Sequence, residues 1–271
     1  MQLPSAASPW ERDGTAEDLA LVAAAADGLG YDFLTCAEHV VVPAADAPLR
    51  GDTYWDPVAT LGFLAAHTSR IRLATSVVVL GYHHPLKIAK QYGTLDRLSG
   101  GRVVLGVGVG SLEAEFSLLG ASFDDRGARG DDAMKALRAA LGQREPSYDG
   151  QFYRFSGMSV NPWAQQQRLP MWVGGRTRRS LRRAVELGEG WMPFGLAPEA
   201  MGSMLHSVTL PTGFEVVLAP PHALDPEADP DGTRRALDAL RDAGATSATC
   251  TVKSRSVQHY CEQLARLQAL G

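Results

Sequence analysis

Three places in this chain gather residue types that could do chemistry. The first is Glu38-His39, just past an apolar run at 31–36. An imidazole exchanges protons near neutral pH, and strand ends are where α/β proteins expose such groups. The competing reading is a buried histidine bonded to Glu38 or to a backbone carbonyl. The second is the run Gly106, Gly108, Gly110, which follows a β-branched segment and leads into Ser111, Glu113 and Glu115. Such a turn lets a planar or anionic ligand approach backbone. Its spacing differs from the dinucleotide fingerprint, so the glycines alone are weak evidence. Glu113 and Glu115 fall in the first turn of the following helix and read as partners of its dipole rather than as catalytic acids. The third is Gly174-Gly175-Arg176-Thr177-Arg178-Arg179, which follows an apolar segment and opens a basic helix. Free N–H groups at a helix start attract anions, and Arg176 would add a charge-assisted contact. Arginines there oppose the helix dipole, and a bound phosphate would supply the reason. A solvated basic face is the alternative.

Two further features are weighed beside these. The apolar run 71–80 is long for one strand. A bulge at Thr75-Ser76-Val77 would turn backbone toward a ligand ring, and a plain longer strand is the simpler reading. His83 and His84 are adjacent and cannot face the same way on regular structure. No other cluster has metal-ligand spacing, so no metal is expected.

Periodicity supplies the elements that must position these residues. Helical patterns occupy 15–29, 57–69, 85–98, 126–141, 177–187, 233–243 and 257–270. Between them lie apolar segments at 31–36, 71–80, 103–107, 171–173, 190–193, 214–219 and 246–252. Strands alternating with helices imply parallel pairing through right-handed crossovers. The strands are continuous apolar runs, as expected when both faces are covered. About seven βα units favour an α/β (β/α)8 TIM barrel over a doubly wound sheet. Its first strand is short or missing, because ahead of the first helix only Met1-Gln-Leu-Pro4 is available to form it. An open barrel, a partner covering the seam and a natural start further upstream are the three explanations, and the last is the expected one. The stretch 148–167 lacks helical period and reads as an insertion over the strand ends.

Composition sets the outer bounds. The 271 residues are 45% hydrophobic and 21% charged, with net charge -4, which suits one globular domain over 1–271. The mild acidity argues against nucleic-acid binding. No apolar run approaches the roughly 20 residues of a membrane span. The odd cysteine count, Cys36, Cys250 and Cys261, suits a reducing cytoplasm.

Taken in order, these segments resemble the luciferase-like monooxygenase family, the flavin- and deazaflavin-dependent (β/α)8 barrels. The resemblance is carried by 30–39, Asp56-Pro57, 68–77, 84–102, the glycine turn, Glu115-Phe116, Arg126-Gly127, 148–153 and 169–191. It implies a ring lying at the barrel mouth, with Glu38 and His39 beside it and His39 as the proton-transfer group. It implies that Thr75, Ser76 and Val77 form a bulge, often at a non-prolyl cis peptide, that supports the ring. Gly108, Val109, Gly110 and Ser111 would lie near the cofactor, and Gly174, Gly175 and Arg176 at its phosphate. The family's sugar-phosphate dehydrogenases carry a glutamate where Ser111 stands, so that activity is not expected. The resemblance points to an F420-dependent oxidoreductase moving a hydride to or from a small organic substrate. An FMN-dependent monooxygenase is the rival enzyme, and a non-catalytic, degenerate paralogue is the third reading. A homodimer is expected.

Overall fold

The computed structural model describes residues 9–51 and 53–270. A single turn, α1 (Pro9–Arg12), precedes α2 (Ala16–Leu29). Helix α2 starts where Thr15 and Asp18 cap each other's backbone N–H groups, and it stops at Gly30, φ 82°. Both ends follow from local chemistry: the capping box satisfies N–H groups left free at the start, and glycine adopts the left-handed stop at little cost. Strand β1 (Phe33–Cys36), the one-turn α3 (Ala47–Arg50) and α4 (Pro57–Ala65) follow.

The expected long strand at 71–80 is divided. It forms β2 (Arg72–Thr75) and β3 (Val78–Val79), followed by a 3₁₀ turn at Leu80–Tyr82. The break falls at Ser76–Val77, whose peptide is cis, the form the resemblance implied. Then come α5 (Pro85–Leu98), β4 (Val103–Gly108), α6 (Glu113–Leu118) and α7 (Arg126–Ala140). The insertion at 148–167 carries an antiparallel pair, β5 (Tyr148–Asp149) with β6 (Arg154–Phe155). The alternation resumes with β7 (Met171–Gly174), α8 (Arg178–Leu187), β8 (Gly190–Met192), α9 (Pro198–Leu205) and β9 (Glu215–Leu218). It ends with α10 (Pro230–Asp242), β10 (Ser247–Ala248) and α11 (Val257–Leu270). Helix α9 was not read from the sequence. The expected strand at 246–252 is only two residues long, with an isolated bridge from Val252 to Leu224 beyond it.

The main sheet runs β1-β2-β4-β7-β8-β9-β10, with β3 beside β4 and every pair parallel. This is a (β/α)8-type architecture in which seven strands in succession, with β3 off the path, form an open wall among the described residues. The place between β10 and β1 has no described strand, and the segment 1–4 considered for it lies outside the described residues. The helical layer nevertheless meets across that seam. Helix α11 packs on α2, Tyr31 Oη donates to the Leu264 carbonyl at 2.8 Å, and Trp10 meets Tyr260 edge to face.

Side chains alternate along the wall as a barrel demands. Leu73, Val103, Leu105, Val107, Met171 and Val173 pack outward under the helices. Phe33, Ala74, Val104, Trp172, Met192 and Val217 fill the interior. The N-terminal end of the barrel is sealed by charge. Arg72 donates to Glu215 at 2.8–3.0 Å, pairs with Asp32, and lies over the Trp172 ring, while Trp172 Nε1 also donates to Glu215. The opposite, C-terminal end holds the groups described next.

Candidate active site

The rim is shaped by the interrupted strand. Gly106, Gly108 and Gly174 occupy inward positions on β4 and β7. A Cβ at Gly106 would overlap the Thr75 carbonyl oxygen; one at Gly108 would lie 2.6 Å from Val77 Cγ2, and one at Gly174 2.8 Å from Val77 Cγ1. The glycines thus leave space that the Thr75–Val77 segment fills, and the Val77 side chain sits between β4 and β7 as a half-buried apolar floor. Thr75 itself is buried, with Oγ1 donating to the Gly106 carbonyl at 2.7 Å, so its hydroxyl ties the two strands together. Ser76, Val109 and Gly110 are half-buried and Ser111 is exposed on the same rim.

Glu38 and His39 leave the end of β1 in different directions. The buried Glu38 carboxylate accepts the Val79 N–H at 2.7 Å and meets His83 Nε2 at 2.7 Å. It anchors the loop after β1 to the segment that carries Val77. His39 is about one quarter exposed. Its Nδ1 lies 2.9 Å from Glu115 Oε2, and its ring meets Tyr54 edge to face at 4.6 Å. The alternative that paired His39 with Glu38 is not what the structure shows.

Glu115 is the residue that sequence reasoning missed. It is fully buried. Besides His39 it accepts the Val40 and Val41 N–H groups at 2.6 and 3.2 Å and the Tyr82 hydroxyl at 2.8 Å. Burial alone would raise its carboxyl, but the bonds from His39, Tyr82, Val41 and Val40 outweigh that and hold it below the ordinary carboxylate value. The Tyr82 phenol moves the other way, pushed up by burial and by the charge of Glu115. Helix α6 is only six residues long, and what fixes it is Phe116. That ring fills a slot where a Cβ on Gly81 would come within 2.6 Å of it and one on Gly110 would overlap it. Gly110 also has φ +79°, a left-handed conformation costly for other residues. Glu113, two residues away, is exposed and matches the dipole reading given to both acids.

Gly174-Gly175-Arg176 lies at the end of β7. Gly175 has φ +122°, and a Cβ there would come within 2.8 Å of Ser180 Cβ. The N-terminus of α8 is capped by Thr177 and Ser180, each accepting the other's backbone N–H at 3.2 Å. That leaves the N–H groups of Arg178 and Arg179 at the helix start, where an anion is stabilised. Arg176 is exposed, with its guanidinium 5.8 Å from the Phe194 ring. The basic run also has a structural component. Buried Arg183 pairs with Asp131 and donates to the Gly127 carbonyl. With Arg179, Arg182 and Glu186 these line a groove of about 220 Å³ between α7 and α8.

The rim therefore offers an apolar floor, an imidazole with one nitrogen committed, and a helix start suited to phosphate. Val40, Val41 and Phe194 leave apolar surface exposed around it. The residues present fit a planar ring that carries a phosphate.

A family profile described as luciferase-like monooxygenase matches residues 2–210. The chain belongs to that family. A protein of Mycobacterium tuberculosis described as uncharacterised is 34% identical over 186 residues, 64% of this chain. The match spans 66% of that relative's length. Among solved structures, a monooxygenase, RslO1, from Streptomyces bottropensis superposes with TM-score 0.78 at 22% identity, covering 100% of this chain and 96% of its own. A coenzyme F420 dependent tetrahydromethanopterin reductase from Methanopyrus kandleri superposes with TM-score 0.73 at 14% identity, covering 94% of each chain. At these identities the two structures establish the shared barrel. No helix among the described residues is long and apolar enough to cross a membrane.

Proposed function

We propose that this protein is an oxidoreductase that moves a hydride between coenzyme F420 and a small organic substrate. The observation that carries the reading is the rim itself: one imidazole, held through Nδ1 by Glu115, on the same barrel end as the Val77 floor. The bound cofactor would supply the hydride chemistry, and the protein supplies placement and electrostatics. Val77, flanked by Gly108 and Gly174, carries the ring. Gly174, Gly175 and the start of α8 hold the phosphate, with Arg176 beside it. Glu38 keeps the His39 loop in register with Val77 through its bond to the Val79 N–H. His39 exchanges the proton that accompanies hydride transfer, at Nε2, the nitrogen Glu115 leaves free.

A second reading, oxygenation with FMN, is supported by the full-length likeness to the Streptomyces monooxygenase. Both cofactors pair a planar ring with a phosphate. Titrating the purified protein with F420 and, separately, with FMN while following ring fluorescence separates the readings. Tight F420 and weak FMN binding is the expected outcome. The reverse moves the reading to oxygen chemistry, and binding of neither favours a non-catalytic paralogue.

A further inference from the structure

We infer that Glu115 is a positioning residue that fixes the tautomer of His39, keeping a proton on Nδ1 and reserving Nε2 for the ligand. The inference rests on the proton-transfer role proposed for His39, but its central readout is independent of any cofactor.

The argument begins with donor bookkeeping at one carboxylate. Glu115 is fully buried, and its hydrogen bonds favour the ionised form. An ionised carboxylate only accepts. Every group that touches it must therefore donate. Oε1 takes the backbone N–H groups of Val40 and Val41. Oε2 takes the Tyr82 hydroxyl and His39 Nδ1. Tyr82 cannot reverse its bond, because losing its proton would place a second buried negative charge against Glu115. His39 Nδ1 must then carry hydrogen in both the neutral and the charged ring. The lone pair of the neutral ring is left on Nε2, which makes no hydrogen bond among the described residues. An unconstrained neutral histidine favours the opposite arrangement, so the hydrogen-bond partner sets the outcome.

The same carboxylate also sets where the ring stands. Val40 and Val41 directly follow His39, and Glu115 grips both of their N–H groups on one oxygen. Helix α6 is in turn pinned by Phe116 between Gly81 and Gly110. Tautomer and ring position thus come from one group, and that group is itself fixed by packing. The arrangement is that of a carboxylate orienting a catalytic imidazole, with the carboxylate 76 residues away from the histidine in sequence.

Glu115→Gln tests it with almost no change of shape. The glutamine oxygen can keep the Val40 and Val41 contacts, while its NH₂ turns a donor toward His39 Nδ1. Nδ1 must then accept, and the proton moves to Nε2. Long-range ¹H–¹⁵N correlation spectra, with His39 assigned by comparison with His39→Asn, report the tautomer of the neutral ring directly. The expected result is an Nδ1–H ring in the wild type and an Nε2–H ring in Glu115→Gln. In the F420-dependent reaction kcat should fall at least about 100-fold with KM and cofactor affinity nearly unchanged. A wild-type His39 protonated on Nε2, or a tautomer that does not move in Glu115→Gln, overturns the inference. If Glu115→Gln fails to fold, the wild-type spectrum decides alone. If the tautomer moves but neither F420 nor FMN supports turnover, the proposed function fails and the assignment of Glu115 stands.

Discussion

Replacing Gly108 by alanine tests what the glycine-rich turn is for. A Cβ on Gly108 would lie 2.6 Å from Val77 Cγ2. Carbon atoms pack best about 3.5–4.0 Å apart, so the added methyl overlaps its neighbour by about 1 Å. Val77 has little freedom to withdraw, since its other methyl already faces Gly174, where a Cβ would come within 2.8 Å of Cγ1. Overpacking of this kind costs about 1–3 kcal/mol, and for a protein of this size each kcal/mol lowers Tm by about 2–4 °C. Val77→Ala removes both methyls from a half-buried position and should cost about 1 kcal/mol. It also deletes the atom that the methyl added at position 108 would strike. The double variant should therefore be no less stable than Val77→Ala by more than a few tenths of a kcal/mol, leaving a coupling of about 1–3 kcal/mol, nearly the whole cost of Gly108→Ala. Urea denaturation of the wild type, both single variants and the double variant measures it. Additivity within about 0.5 kcal/mol would refute the reasoning. So would a Gly108→Ala variant of unchanged stability but weakened cofactor affinity, which is the behaviour expected if Gly108 existed to admit the ring.

Three other outcomes follow from the site and its supports. His39→Ala should lower turnover by about 100-fold or more while cofactor binding survives; unchanged turnover would remove the proton-transfer role. Arg176→Ala should weaken cofactor binding, and equal affinity in a fluorescence titration would remove Arg176 from the phosphate site. Asp27 concerns stability. Its carboxylate accepts the N–H groups of Ser69, Arg70 and Ile71 and the Ser69 hydroxyl at 2.6–3.0 Å. Burial opposes ionisation there, but those bonds prevail and bring its pKa down to about 2. A depressed carboxyl stabilises the fold above its unfolded value of 3.8 and loses that contribution as pH falls toward 2. Asp27→Asn should flatten the stability profile between about pH 4 and 2; an unaltered acid limb in thermal melts would show that Asp27 contributes little.

Some of this arrangement was legible because it is local. Residues 85–98 read as a helix from their periodicity, and the structure places α5 at Pro85–Leu98. The alternation of apolar runs with helical patterns was enough for the parallel barrel, since both signals have periods that survive within a dozen residues. The break in the run 71–80 shows in the sequence only as excess length, because the strand-forming residues Leu73–Thr75 and Val77–Val79 on either side read alike whichever way the Ser76–Val77 peptide turns. Glycines showed where Cβ atoms were missing but not what used the space. At Gly106, Gly108 and Gly174 it is the Thr75–Val77 segment, and at Gly81 and Gly110 it is Phe116.

Glu115 shows the limit most directly. Glu113 and Glu115 stand in the same first turn with the same charge, and the dipole argument treats them equally. Two residues on a helix are about 200° apart in direction, so one faces solvent while the other turns inward to a slot set by Phe116. Its partners lie 33, 74, 75 and 76 residues away, beyond any periodic pattern. A histidine at a strand end can be picked out by its neighbours in the chain. The carboxylate that decides which of its nitrogens is available has to be found in space, because the barrel, not the chain, brings the ends of β1, β3 and β4 together.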